Sequence, residues 1–382
     1  MSSENPSSQT ETRTHKSGSS LNFLIWALLA PITAAIILYH LDPFDPVPLP
    51  VHEFDSTPVS APKKNPNMLR GSERIGSGLL VGPEDLAYDP KSQTIFTGCE
   101  DGWIKRVRVT ESVDDMVVEN FVNTGGRPLG VVLGLNNDIL VADAYKGLLL
   151  VSEEGEVKVL TDEAEGLQFK LADGVDVAQD GMIYFTDATY KYNLSIHRFD
   201  ILEGRPHGRV LSYDPSTKET KVLVRDLYFA NGVALAPDQT FLVFCETTLK
   251  RCRKYNLQGP KKGTTEKFIN NLPGVPDNIR YDGENHFLIG IFSEISFLWD
   301  LALRSPSFRK AIAIAAKYIP IPRTEKTGGV FVVDLDGNPV AHYYDPGWSA
   351  VTGGIKIGNY LYCGSTRHPH ITRLDLSKYQ AL

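Results

Sequence analysis

Six tripeptides decide how this sequence is read: Glu84-Asp85-Leu86, Leu129-Gly130-Val131, Asp173-Gly174-Val175, Asn231-Gly232-Val233, Asp277-Asn278-Ile279 and Gly353-Gly354-Ile355. Each opens a short stretch in which apolar and polar residues alternate, the period of a half-buried strand. The stretch after Glu84 shows the unit. Leu86-Ala87-Tyr88 reads as one strand, Thr94 to Thr97 as a second and Trp103 to Val107 as a third, with a fourth near Val117 to Phe121. Turn-forming residues such as Asp89-Pro90 and Asp101-Gly102 separate them. The same meander returns after each triplet, giving six units of roughly 40 to 55 residues apart from insertions, each of about four strands.

Sheets repeated radially are the architecture of a β-propeller, so the expected fold is all-β: a six-bladed β-propeller over 74–382. A β-sandwich would not bring the same turn chemistry back at every repeat. Two repeats carry insertions, one from Tyr190 to Pro206 and a longer one near 295–327. Within the longer one, Phe297 to Leu303 and Ala311 to Ala316 read as helices. Such a segment packs on the rim, covers the axial pocket or touches a nearby bilayer.

In a propeller blade the innermost strand lines the central channel. The first residues of the triplets therefore surround one channel mouth: Glu84, Leu129, Asp173, Asn231, Asp277 and Gly353. Four of these are oxygen donors, and Asn278 adds an amide beside Asp277. No His or Cys fills a slot, which argues against zinc or copper. Three carboxylates with amide oxygens suit one axial Ca2+, which takes six to eight oxygen ligands. Asp and Asn also serve as turn formers at such places, but Glu84 does not. The expected metal ligands are Glu84, Asp173, Asn231, Asp277 and Asn278.

The N-terminus is a separate object. Residues 1–20 are polar and read as a disordered cytosolic tail. Residues 21–41 are almost wholly apolar and long enough to span a bilayer, which favours an uncleaved signal-anchor over a cleaved signal peptide. Arg13, His15 and Lys16 precede the span and acidic residues follow it. That asymmetry predicts a type II membrane protein with its body in the lumen of the secretory pathway, in the endoplasmic reticulum or another endomembrane. Cleavage would instead make it vacuolar or extracellular. Residues 42–73 are Pro-rich and read as a tether. The sequon Asn193-Leu194-Ser195 predicts glycosylation at Asn193 in that setting. Four cysteines are too few for a disulfide scaffold; they are free buried thiols or include one bridge. A net charge of −7 without a basic run argues against a nucleic-acid partner; the expected partners are the membrane, through the N-terminal anchor, and a small-molecule substrate.

From Arg74 onward the chain resembles plant strictosidine synthase-like proteins. The resemblance rests on Gly82-Pro83-Glu84-Asp85-Leu86, the run from Gly181 to Asp187, Phe229-Ala230-Asn231-Gly232-Val233, the run from Leu272 to Ile279, and Tyr362-Cys363-Gly364-Ser365. It extends to the animal adipocyte plasma membrane-associated protein and, more widely, to paraoxonase-like calcium-dependent propellers. It implies that Glu84, Asn231, Asp277 and Asn278 occupy the calcium-binding positions of paraoxonases, with Asp173 where those enzymes have Asn. It also exposes two departures. The glutamate used by strictosidine synthase falls at or next to Gly353, and glycine transfers no proton. The histidine base of paraoxonases falls at Leu129. Strictosidine synthase activity is therefore not expected. An ester or lactone hydrolase with Asp277 or Asp173 as the catalytic carboxylate is expected, against a non-catalytic propeller braced by calcium. His197, His207, His342, His368 and His370 are the remaining candidate bases.

Overall fold

The alternating repeats form six sheets in which the strands of each repeat pair antiparallel in chain order, and two of these sheets add a strand from upstream. The computed structural model describes residues 18–50, 52, 57–321 and 324–382. The innermost strands of the blades are Leu86–Asp89, Pro128–Leu133, Ala172–Val177, Ala230–Leu235, Pro276–Tyr281 and Val351–Ile357. Each packs against the next and the sixth against the first, so the ring closes. Apolar residues fill the seams between blades. Leu140, Ala142 and Leu148 of the second blade, for example, pack on Ile183, Phe185 and Leu211 of the third.

Closure of the ring joins distant parts of the chain. The sixth blade draws its outermost strand, Ser72–Ile75, from upstream of the first blade, paired antiparallel with Ile371–Asp375. The propeller therefore begins two residues before the expected boundary at Arg74, and with a strand that belongs to the last repeat. The fifth blade gains an outer parallel strand, Lys63–Asn65, beside Ala341–Tyr343.

The N-terminal stretch expected as a membrane span forms helix α1, Gly18–Leu41, of 24 residues with Pro31 inside it. Among the described residues, no helix is long and apolar enough to cross a membrane. Most of the expected cytosolic tail, residues 1–17, lies outside the described residues. The described residues of the stretch expected as a tether include several that dock on the rest of the structure. Val47 N donates to Glu203 O at 2.9 Å and Val59 N to Asn271 O at 2.8 Å. Leu49 is buried with Leu249 and Leu303. Proline had marked this stretch as irregular, but its apolar residues find partners on the blades.

Both insertions rise from the end of the ring that carries the triplets. Ala172 pairs with Asp187 and Pro276 with Ile291, so the loops leaving Asp187 and Ile291 start beside the openings of those inner strands. The first insertion contains α2, Arg198–Glu203, and the second contains α3, Phe297–Arg304, and α4, Pro306–Ala316. Ser296 and Ser305 cap α3 and α4 by accepting from Trp299 N and Phe308 N, and Pro306 opens α4 where its missing N–H costs nothing. Arg309 of α4 is fully buried and donates to Leu202 O at 3.1 Å and Val47 O at 2.5 Å. One side chain thus joins the two insertions and the N-terminal segment.

The second residue of most triplets is small because the next blade leaves it no room. A Cβ on Gly130 would lie 2.3 Å from Asp173 O, and one on Gly232 would lie 2.6 Å from Asn278 Cα. Backbone atoms cannot step aside as side chains can. Gly232→Ala is expected to lower stability by roughly 2–3 kcal/mol, the upper part of the range for overpacking. A chemical-denaturation midpoint unchanged from the parent would show that the ring relaxes around the added methyl.

Candidate metal centre at the channel mouth

Each triplet from the second blade to the fifth sits at a break in strand register, for example between Ala172 and Val175 and between Pro276 and Ile279. A bulge puts two residues opposite one and re-aims side chains. Here it holds the triplet side chains at the mouth, against the neighbouring bulge. Hydroxyls fix the backbone around them. Thr186 Oγ1 donates to Asn231 O at 2.6 Å and Thr247 Oγ1 to Pro276 O at 2.9 Å, while Thr352 Oγ1 donates to Glu84 O.

The structure brings Glu84, Asp173 and Asp277 together. All three are buried, and one carboxylate oxygen from each lies within 4.8 Å of the others. Asn278 Nδ2 donates to Glu84 Oε1 at 2.7 Å, and the Asn231 side chain hydrogen-bonds Asp277. All five expected ligands thus occupy one cluster. Burial pushes the Glu84 carboxyl well above its ordinary range, and the charges of Asp277, Asp85 and Asp173 add to this. Burial and then Asp277 do the same to Asp173. Burial raises Asp277 to about 7, against the hydrogen bond from Asn231.

This donor set fits a hard cation. Glu84 Oε2 and Asn231 Oδ1 are buried and have no hydrogen-bond partner. Unpartnered buried oxygens beside crowded carboxylates are costly unless a positive charge stands between them. Every donor is oxygen, as Ca2+ prefers.

Beneath the cluster the channel is plugged by charges the sequence reading did not single out. Arg280, three residues after Asp277, donates Nη1 to Val175 O at 2.8 Å and Nη2 to Val131 O at 2.7 Å, and pairs with Asp85. Asp85 also accepts from Val131 N at 3.0 Å, and Asp176 accepts from Leu235 N at 2.7 Å. The available signal was a second charged residue three places after the slot residue in the same inner strand, Asp176 after Asp173 and Arg280 after Asp277. Arg127 is buried on the other side, donating to Gly82 O at 3.0 Å and to Pro128 O at 3.2 Å.

Above the cluster lies an apolar roof. Leu129, the residue in the second slot, packs with Leu171 and Phe229, and Leu194 and Ile201 of the first insertion cover them. Phe229, just before the fourth inner strand, holds a left-handed φ of 61°, a strained conformation for a bulky residue. Among the candidate bases, His197 belongs to this roof: its ring lies 6.0 Å from that of Phe229 and its Nδ1 meets Leu194 O at 2.5 Å. His207 pairs with Asp200 at 2.7 Å inside the insertion. His342 stacks on Tyr344 in the strand Pro339–Asp345 of the fifth blade. His368 is held by Ser349 O at 3.1 Å, with His370 beside it. Asn193 is exposed on the insertion, where its Oδ1 accepts from Ser195 N at 3.1 Å.

Fold and site together define a six-bladed propeller with a buried cluster of oxygen donors at one mouth of its channel. Comparison with known proteins places it more closely. Residues 173–260 match the strictosidine synthase family model, and residues 65–107 match the strictosidine synthase-like N-terminal model. The chain is 55% identical over 364 residues to Protein STRICTOSIDINE SYNTHASE-LIKE 6 of Arabidopsis thaliana, covering 95% of this chain and 97% of that protein. It is 32% identical over 382 residues to the adipocyte plasma membrane-associated protein of Gallus gallus, covering 92% of this chain and 88% of that one. The chain belongs to the strictosidine synthase-like family. Solved propellers share its fold. A gluconolactonase from Xanthomonas campestris superposes with a TM-score of 0.57 at 15% identity, covering 84% of this chain and 96% of that one. A calcium-binding protein, regucalcin, from Agrobacterium tumefaciens gives 0.57 at 16% identity, covering 82% and 95%.

The buried carboxylates make the cation-free protein sensitive to pH. Asp277 titrates near 3.8 when unfolded and at about 7 when folded, so the folded state holds its proton more tightly. In chelator, the contribution of this group is greatest below about pH 4 and is lost as pH rises through about 7. If Ca2+ occupies the cluster, it would bind the deprotonated carboxylates, and the rise in melting temperature on adding it is therefore expected to grow from about pH 5 to about pH 8. A rise that stays constant across that range would contradict this assignment.

Proposed function

We propose that this protein is a calcium-dependent hydrolase of esters or lactones, working at the channel mouth. The observation that carries the reading is the trio Glu84, Asp173 and Asp277, buried within 4.8 Å of one another and accompanied by unpartnered oxygens. A bound Ca2+ supplies polarisation of a carbonyl oxygen and stabilisation of the oxyanion formed from it. Glu84, Asn231 and Asn278 would hold the ion with the two aspartates. Asp277, oriented by Asn231, and Asp173 are the carboxylates placed to take a proton from water or to attack the carbonyl. Leu129, Leu171 and Phe229 offer an apolar wall for the organic part of the substrate, and the insertion over them excludes bulk water. The likeness to a gluconolactonase and to regucalcin supports this reading at the level of fold.

The slots at Leu129 and Gly353 favour a second reading, a non-catalytic propeller in which calcium only braces the channel. Turnover separates the two. Aryl-ester or lactone hydrolysis is expected to vanish with chelator and return with Ca2+. Asp277→Asn is expected to lose at least about 100-fold in kcat while its circular dichroism is unchanged. A calcium-dependent rise in melting temperature without any turnover would establish the brace instead.

We further propose that the body is lumenal and held to the membrane by α1. Many of the described side chains of α1, among them Phe23, Trp26, Ile32 and Ile36, are exposed apolar groups. Cys245 and Cys252 form a disulfide between neighbouring strands, which suits an oxidising compartment, whereas Cys99 and Cys363 are buried thiols. The likeness to a membrane-associated animal protein supports the same placement. On expression in plant cells, peptide N-glycosidase treatment or the substitution Asn193→Gln is expected to raise mobility by one glycan. A band unmoved by either would remove Asn193 as a glycan acceptor.

A further inference from the structure

Three loops meet above the channel mouth on a single carboxylate. Arg198, at the start of α2, places Nη2 3.5 Å from Glu325 Oε1. Arg367, in the loop after the second strand of the sixth blade, places its own Nη2 2.9 Å from that same oxygen. Glu325 itself closes the insertion of the fifth blade. All three loops rise from the triplet end, because Val351 pairs with Ser365 just as Ala172 pairs with Asp187. In a ring of six the third and sixth blades stand opposite each other. A contact that joins them through the fifth therefore passes over the mouth.

Glu325 is an incomplete partner for two guanidinium groups. Both crowd onto Oε1, while Oε2 is buried and has no hydrogen-bond partner. A guanidinium binds a carboxylate best through two parallel hydrogen bonds, and neither arginine makes such a pair here. Arg367 is pre-positioned by packing over the Phe292 ring at 5.2 Å. The carboxylate trio beneath would repel an anion even with a divalent cation in place, so an acidic ligand needs positive charge at the mouth. These two arginines supply it.

We propose that Arg198 and Arg367 form the recognition site for a carboxylate on a small acidic ligand, which reaches the mouth by displacing Glu325. The substrate class is then an ester or lactone carrying a separate ionised carboxylate; this part rests on the hydrolase reading, whereas binding of the carboxylate does not. Glu325 is an internal stand-in for the ligand. It keeps the mouth shut when no acid is present and competes with any acid that arrives.

Calorimetry with glutarate on the full chain, calcium-loaded and in detergent, tests this. Glu325→Gln removes the competing charge while keeping size, and is expected to bind glutarate about tenfold more tightly than the parent. Arg367→Ala, placed in that background, is expected to abolish the gain, and Arg367→Lys to restore it only in part. The neutral diamide of glutaric acid is expected not to bind. Equal affinity of parent and Glu325→Gln, a gain that survives Arg367→Ala, or equal binding of the diamide would each overturn the proposal. Melting temperatures of the variants identify any loss due to misfolding, and Arg198→Ala then provides the independent check. Turnover of 4-nitrophenyl hydrogen glutarate against 4-nitrophenyl butyrate reads the hydrolase separately. Hydrolysis of neither, with glutarate still bound through the arginines, sinks the hydrolase and leaves the anion site standing.

Discussion

Six sheets arranged around an axis leave a hole, and this molecule depends on Arg280 to fill it. Arg280 starts from the fifth blade and ends on Val131 of the second, the blade directly opposite, after passing Asp85 of the first and Val175 of the third. No backbone hydrogen bond between adjacent strands could span that distance. Burial opposes the charge, but Asp85 and then Asp176 outweigh it and hold the guanidinium above its ordinary value. A buried ion pair of this kind stabilises little relative to an apolar filling, yet losing one partner leaves the other charge stranded, at a cost of roughly 3–5 kcal/mol. The pair therefore fixes the relative positions of four blades more than it deepens the fold.

That plug sets the floor on which the carboxylate cluster stands. Glu84 and Asp85 are consecutive residues, one facing the cluster and one the plug. Asp277 and Arg280 bear the same relation on one strand. A displacement of the floor would therefore move the ligands with it. Arg309 plays a comparable part among the insertions, joining both of them to the N-terminal segment. Two buried arginines thus tie together parts of the chain that no strand pairing connects, one along the channel and one in the insertions.

Much of this was legible in the sequence because the chemistry recurs in register. Bulges demand small or turn-forming residues, and these return at Gly130, Gly174 and Gly232. A Glu in such a place has no local reason to be there, which made Glu84 informative. What was not legible depends on contacts between residues far apart in the chain. Arg280 reads as one charged residue among many until the blade opposite is known. Arg198, Glu325 and Arg367 share no spacing and meet only because their loops leave the same end of the ring. The docking of Val47, Leu49 and Val59 was hidden by the prolines around them, which announce irregular backbone without saying whether it is free. The pairing of Cys245 with Cys252 was left open because adjacency in a hairpin does not fix register, and the structure supplies it.

The strand Ser72–Ile75 has a consequence for how the molecule comes into being. It is made before any blade, but its partner Ile371–Asp375 belongs to the last repeat, some 300 residues later, as the pairing of Glu73 with Arg373 records. Until translation passes that point, the first strand has no sheet to join and the sixth blade does not exist. The nascent chain is then an open arc with two unsatisfied faces, one on the first blade and one on the newest. Such faces are the kind on which partly made sheets aggregate. Five completed blades must therefore wait for a closing strand that is made about 300 residues after the partner it pairs with.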